Sequence, residues 1–249
     1  MDFRTGPFLS IPLAAALLFG PLAAADEAYS LTRISADSKA ASEAQGEPDR
    51  GTLPEEVPEA FLAELQPDGL RLAARDGSPI YDLWLRKEPP LAGVRSKELS
   101  VKYDQLEVGT LVGVLRAYGA EVDYYENPVG KGVYLLRYGV QPDSGDHMGT
   151  AESRDFLLLT RFQDDRKPDR VEKMDDLIKL AIAAAPNEHP MILFLEKPSD
   201  LEADSPRLYR HERRDEWIAD LPLKTRAADK EECAELRLGI VLIGVSEHY

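Results

Sequence analysis

From Gly69 onward the chain is a series of short runs in which apolar side chains recur at every second position, each run closed by Gly, Pro, Asn or Asp. That period marks β-strands, because successive side chains of an extended backbone point to opposite faces. The runs are LRLAARDG, SPIYDLWLRK up to Glu88-Pro89-Pro90, GTLVGVLRAYG, GVYLLRYGV, RDFLLLTRF, MILFLEK, RLYR, DEWIADLPLK and ELRLGIVLIGV. GTLVGVLRAYG is apolar on both faces, which places it inside a layered structure and away from a rim. In GVYLLRYGV, Tyr134, Leu136, Tyr138 and Val140 share one face and Val133, Leu135 and Arg137 the other. In RDFLLLTRF, Phe156, Leu158 and Phe162 oppose Leu157, Leu159 and Arg161. An Arg on the second face of each strand implies either a sheet edge or a guanidinium paired with a carboxylate.

The period lengthens in two places. Val57, Phe61 and Leu65 recur every four residues after Pro54, Glu55 and Glu56, which predicts a short helix. In PDRVEKMDDLIKLAIAAAP, Asp169 stands as a cap with Glu172 three residues on. Val171, Met174, Leu177, Ile178, Ala181 and Ala185 form a stripe that Pro186 ends. About eight or nine strands against one good helix, without strand–helix alternation, predict a mainly β protein: a single antiparallel β-sandwich of immunoglobulin- or transthyretin-like architecture, with one amphipathic helix at its side.

MDFRTG, then FLSIPLAAALLFG, then PLAAADEA has the layout of a secretory signal peptide over residues 1–25, with Ala23-Ala24-Ala25 as the cleavage point. The expected destination is the periplasm or the extracellular medium, with no membrane insertion after cleavage. Residues 26–53 are rich in Ala, Ser, Glu and Asp and read as a flexible linker, leaving 54–249 as the domain. The formal net charge of −15 survives removal of the leader, because Asp2 and Arg4 cancel. Such an acidic surface repels nucleic-acid phosphates and favours solubility. Cys233 is the sole cysteine, so no intramolecular disulfide exists, and its apolar context reads as a buried thiol.

Candidate chemistry concentrates between GVYLLRYGV and RDFLLLTRF, where 13 residues, Gln141 to Ser153, form a connection longer than the usual two to five of a hairpin. Asp143, Asp146 and His147, with Glu152, are candidate cation ligands. Calcium would take the carboxylates; zinc or copper would need His147 with a distant His189 or His211. The alternative is a solvated turn capped by Asp143 or Ser144. Tyr124 and Tyr125, in AEVDYYENP, are expected in an exposed loop where their rings could meet a glycan. HERRDE from His211 lacks the last His of a zinc HExxH motif. GxSxG, SxxK and P-loop patterns are absent. No catalytic residue is nominated.

GTLVGVLRAYG, GVYLLRYGVQPDSGDHMGT and RDFLLLTRF together resemble a group of exported bacterial proteins marked by GVYTLRYGxQPxDGDHxG...RDFLLL and without an assigned activity. The likeness runs from Trp84 to His189-Pro190 and departs from the pattern at Leu135, where the group has Thr, and at Ser144, where it has Asp. The resemblance implies export and transfers no functional residue. The expected function is an exported, non-catalytic binding or accessory module of unidentified ligand, working through the 141–153 loop with Tyr124 and Tyr125. A metal-binding or metal-dependent role on Asp143, Asp146 and His147, and a glycan-binding module, are the alternatives.

Overall fold

A computed structural model describes residues 28–35, 52–92, 100–119, 121–141, 153–198, 205–211, 213–226 and 233–245. The strands are β1 (Tyr29–Ile34), β2 (Gly69–Ala74), β3 (Pro79–Leu85), β4 (Leu111–Ala117), β5 (Glu121–Val122), β6 (Pro128–Val129), β7 (Gly132–Val140), β8 (Asp155–Thr160), β9 (Ile192–Glu196), β10 (Arg207–His211), β11 (Glu216–Arg226) and β12 (Cys233–Ile243). The helices are α1 (Glu59–Leu62) and α2 (Met174–Ala184).

Ten strands form one antiparallel sheet in the order β1-β2-β3-β4-β7-β8-β9-β12-β11-β10, and β5 and β6 make a separate small hairpin. The sheet curls until β1 lies beside β10, nearly closing a barrel, with the Tyr29 ring edge-on to Trp217 at 5.3 Å. A mainly β, antiparallel protein is what the alternation predicts; the two facing sheets of a sandwich are replaced by one curled sheet. Each strand from β1 to β9 in the large sheet pairs with its predecessor there, and β12 docks directly on β9. No break in hydrogen bonding is left at which a second sheet could separate, and a sheet of this width relieves its exposed edges by curling.

Inward positions are filled by side chains: Leu72, Tyr81, Leu83, Leu115, Tyr134, Leu136, Leu157, Leu193, Leu221 and Leu238 belong to one buried cluster. Two further clusters lie on the outer wall. Val57, Phe61 and Leu65 around α1 cover Leu111, Val114 and Leu135, with Phe61 edge-on to Phe162 at 5.1 Å. Leu177 and Ala181 of α2 pack with Phe156, Leu158, Ile192 and Phe194. β4 is thus apolar on both faces because both are covered. Elsewhere outward positions carry ions: Asp82 accepts from Arg71 at 2.7 Å, and Asp220 from Arg207 at 2.8 Å, with Arg237 on the same carboxylate.

Two expectations change. The 26–53 segment does not act as a linker throughout: Tyr29–Ile34 forms β1, because YSLTRI alternates and can extend the ladder of β2. The long helix begins at Met174, with neither an Asp169 cap nor a capping box; its N-cap is Lys173 and no side chain bonds there. The reason is Arg137, fully buried on β7 and bound to Asp165 at 2.7 and 2.8 Å, whose guanidinium also takes the carbonyls of Lys167, Asp169 and Gly109. With the Lys167 and Asp169 carbonyls turned to that guanidinium, the backbone over 165–171 follows the ion pair and the helix begins only after it. Of the two readings of Arg137, the paired guanidinium is the one found, on a central strand. Arg161, just after β8, is half-buried, with its guanidinium 5.8 Å from the centroid of the Tyr134 ring. The backbone of Cys233 opens β12; its side chain, the leader and most of the 26–53 segment lie outside the described residues.

Candidate functional site

A row of cross-strand partners runs over the outer wall where α2 leaves it partly open. Gly139 of β7 faces Phe156 of β8, which faces Phe194 of β9. Gly139 is needed because a Cβ there would stand 2.7 Å from Cε2 of Phe156; the ring lies across the bare glycine backbone. The β5–β6 hairpin forms one rim. Buried Asp123 folds it as an Asx-turn, accepting from the backbone N–H of Tyr125 at 3.0 Å and of Asn127 at 2.8 Å, and fastens it to β9 by accepting from the Ile192 N–H at 3.1 Å. Burial pushes the Asp123 carboxyl up against the pull of these hydrogen bonds.

Between the hairpin, the strands and α2 is an open pocket of about 250 Å³. Phe156, Leu158 and Ile192 form its floor, Met174 and Ile178 of α2 one side, Tyr125 and Asn127 the other, and Gln141, His189 and Pro190 complete the rim. Among the described residues, no carboxylate, ammonium or guanidinium lines it. A second hollow, about 350 Å³, lies among Glu64, Arg86, Lys87, Glu88 and Arg226. Its charges satisfy one another: Arg86 binds Glu64 at 2.8 Å, Arg226 binds Glu88 at 2.7 Å, and Lys87 Nζ donates to the Ala63 carbonyl at 2.8 Å.

Beside the pocket lies a buried polar group of different character. Tyr124 stacks on Phe194, centroids 4.6 Å apart, and its hydroxyl donates to Glu216 Oε1 at 3.0 Å. Glu216 pairs with Arg214 Nε at 3.0 Å, and Arg214 also binds Glu196 at 2.9 Å. Burial is the main force raising the Glu216 carboxyl above its usual 4.5, offset in part by Arg214 and the Tyr124 hydroxyl; burial and Glu216 also raise the Tyr124 phenol. A raised folded-state pKa contributes stability fully below the unfolded value and loses it as pH rises through the folded one. Glu216→Gln removes that loss, and its amide can keep both contacts by turning its oxygen to Arg214. The melting temperature of the variant relative to wild type is therefore expected to be more favourable at pH 7 than at pH 4. An equal difference at both would mean that Glu216 titrates as an exposed carboxylate.

Asp143, Asp146, His147 and Glu152 lie outside the described residues, as does the rest of their loop between Gln141 and Ser153. Among the described residues no group of three or more His, Cys, Asp or Glu side chains is placed to hold a metal ion. Of the two tyrosines expected in an exposed loop, Tyr125 lines the pocket half-buried, whereas Tyr124 is 7 % exposed, because the Asp123 turn folds it onto β9. His189 reaches the rim of the pocket and His211 ends β10. The sequence reading missed Phe156, Met174, Ile178 and Ile192 as site residues, since each serves equally as core in a periodic pattern. One signal was available: a Gly inside a strong strand, as at Gly139, marks a close approach. Comparison with protein-family models, with curated proteins and with solved structures finds no match for this chain.

Proposed function

We propose that the protein is an exported, non-catalytic binding module whose ligand places a small uncharged apolar group in the outer-wall pocket. The observation that supports this is a preformed pocket whose described lining is mostly apolar, with Asn127, Gln141 and His189 at the rim and no carboxylate, ammonium or guanidinium, in a chain of net charge −15. Pockets that bury most of a drug-sized molecule measure about 300–1,000 Å³. At about 250 Å³ this one suits one ring or one branched alkyl group, with the rest of the ligand outside. The working surface is then the described flank of the 141–153 connection, since Gln141 is a rim residue. The sheet's apolar side faces inward and charged pairs such as Asp82–Arg71 and Asp220–Arg207 lie on the outer wall, the reverse of a membrane barrel. No helix among the described residues is long and apolar enough to cross a membrane. Of the two rings behind the glycan alternative, Tyr124 is covered and Tyr125 lines the pocket. The metal alternative rests on residues outside those described.

The test is methyl NMR with small uncharged probes, both aromatic and aliphatic, following Ile178 and Ile192. At least one probe is expected to shift both methyl signals saturably. Gly139→Ala, which forces the Phe156 ring to move, is expected to weaken that probe about tenfold or more, given how steeply burial depends on fit. If no probe shifts these methyls, the proposal is wrong.

A further inference from the structure

The pocket's chemistry is more particular than apolarity, and we infer that it selects an uncharged aromatic ring over an aliphatic group of the same size. This rests on the binding role proposed above. The His189 imidazole stands at the rim; of the other lining side chains two are aromatic, Phe156 and Tyr125, and a third, Met174, carries a thioether. They come from three separate elements, β8, the β5–β6 hairpin and α2, so a guest between them meets all three at once.

The two rings are held by structure independent of the guest. Phe156 lies across Gly139, which leaves it no room on the β7 side. Tyr125 is edge-on to Phe194, with centroids 6.4 Å apart and planes at 87°, and its backbone is fastened by Asp123. Rings already ordered lose little freedom on binding, so the quadrupole interaction with a guest ring adds to affinity instead of offsetting an ordering cost. Each edge-to-face or offset ring pair strengthens binding by about two- to tenfold beyond burial, and a sulfur–ring contact by a similar or smaller factor. An aliphatic guest of equal volume gains the burial alone. A charged guest is disfavoured because, among the described residues, the lining holds no carboxylate, ammonium or guanidinium to compensate a buried ion. At the rim, the Asn127 amide is already engaged, donating to Asp123 and accepting from Asn187 at 3.1 Å. The discriminating contacts are therefore those inside.

The ring could arrive as a free small molecule or as a side chain of a peptide, and the probes separate the two. Toluene is compared with methylcyclohexane, and N-acetylphenylalanine amide with N-acetylcyclohexylalanine amide, each titrated into the full chain while the Ile178 and Ile192 methyls are followed. The aromatic member of each pair is expected to bind at least about fivefold tighter. Tighter binding of the amide pair would assign the ring to a peptide, and of the hydrocarbon pair to a free molecule. Phe156→Leu is expected to weaken the aromatic member of each pair by a larger factor than the aliphatic one, and so to remove most of the preference. Met174→Leu, close in volume and away from the sheet, should reduce the preference in the same direction should the Phe156 variant fold poorly. Equal or tighter binding of the aliphatic member overturns the selectivity while leaving the binding role intact. A preference that survives both variants overturns the assignment of its source. No binding by any probe overturns both readings.

Discussion

Asp165→Ala is expected to destabilise the protein by about 3–5 kcal/mol, the usual consequence of removing one partner from a buried ion pair. Asp165 is 4 % exposed and accepts two hydrogen bonds from Arg137, which is wholly buried, and one from the Thr160 hydroxyl at 2.7 Å. Without it the guanidinium keeps the carbonyls of Gly109, Lys167 and Asp169 but loses its counter-charge. At about 2–4 °C per kcal/mol for a chain of this size, the melting temperature should fall by roughly 6–20 °C. Circular dichroism melts measure this directly. Arg137→Met combined with Asp165→Ala removes both charges and should recover much of the loss. A drop below about 1 kcal/mol in the single variant would mean that water reaches the guanidinium, contrary to its burial.

Gly109→Ala is expected to be at least as damaging, and through geometry alone. Gly109 has a φ of +86°, and an added Cβ would lie 1.9 Å from the Val171 carbonyl oxygen, a backbone atom that cannot swing aside. The left-handed backbone by itself disfavours a side chain by about 1 kcal/mol or more. The clash adds to this by displacing the 165–171 segment, whose Val171 N–H donates to the Gly109 carbonyl at 3.2 Å. A total above about 3 kcal/mol is expected, read from denaturant melts. Gly109 and Asp165 hold the same segment from two sides, so the double variant should lose less than the sum of the two. Strict additivity would show that the two anchors act independently.

These two anchors also show where a sequence is readable. That Arg137 sits on an apolar face was visible from the alternation in GVYLLRYGV, and with it the choice between an edge and an ion pair. Its partner was not, because Asp165 lies 28 residues away in a stretch without period, and nothing local marks one Asp among 45 acidic residues. The helix start failed for the same reason. Asp169 and Glu172 have the spacing of a capping box, but capping is a local preference of about 1 kcal/mol, and a buried guanidinium that needs those carbonyls outweighs it. The pocket was legible only in part. Tyr125 was nominated as a binding residue, whereas Phe156, Ile178 and Ile192 look like any other core positions until their neighbours are known.

By itself the sequence determined which segments are strands and helix, and which positions along them are apolar, because those follow from the period of the backbone. It did so for every strand of the large sheet except β1, and it marked β4 as covered on both faces. Only the tertiary structure decided that ten strands form one curled sheet and not two facing ones, since that depends on which edges meet, and hydrogen bonds between strands carry no signature in the strands' own sequence. The same holds for the pocket: Gly139, Phe156 and Tyr125 become a site only when three distant segments pack together, because its selectivity lies in distances between elements that no single segment encodes.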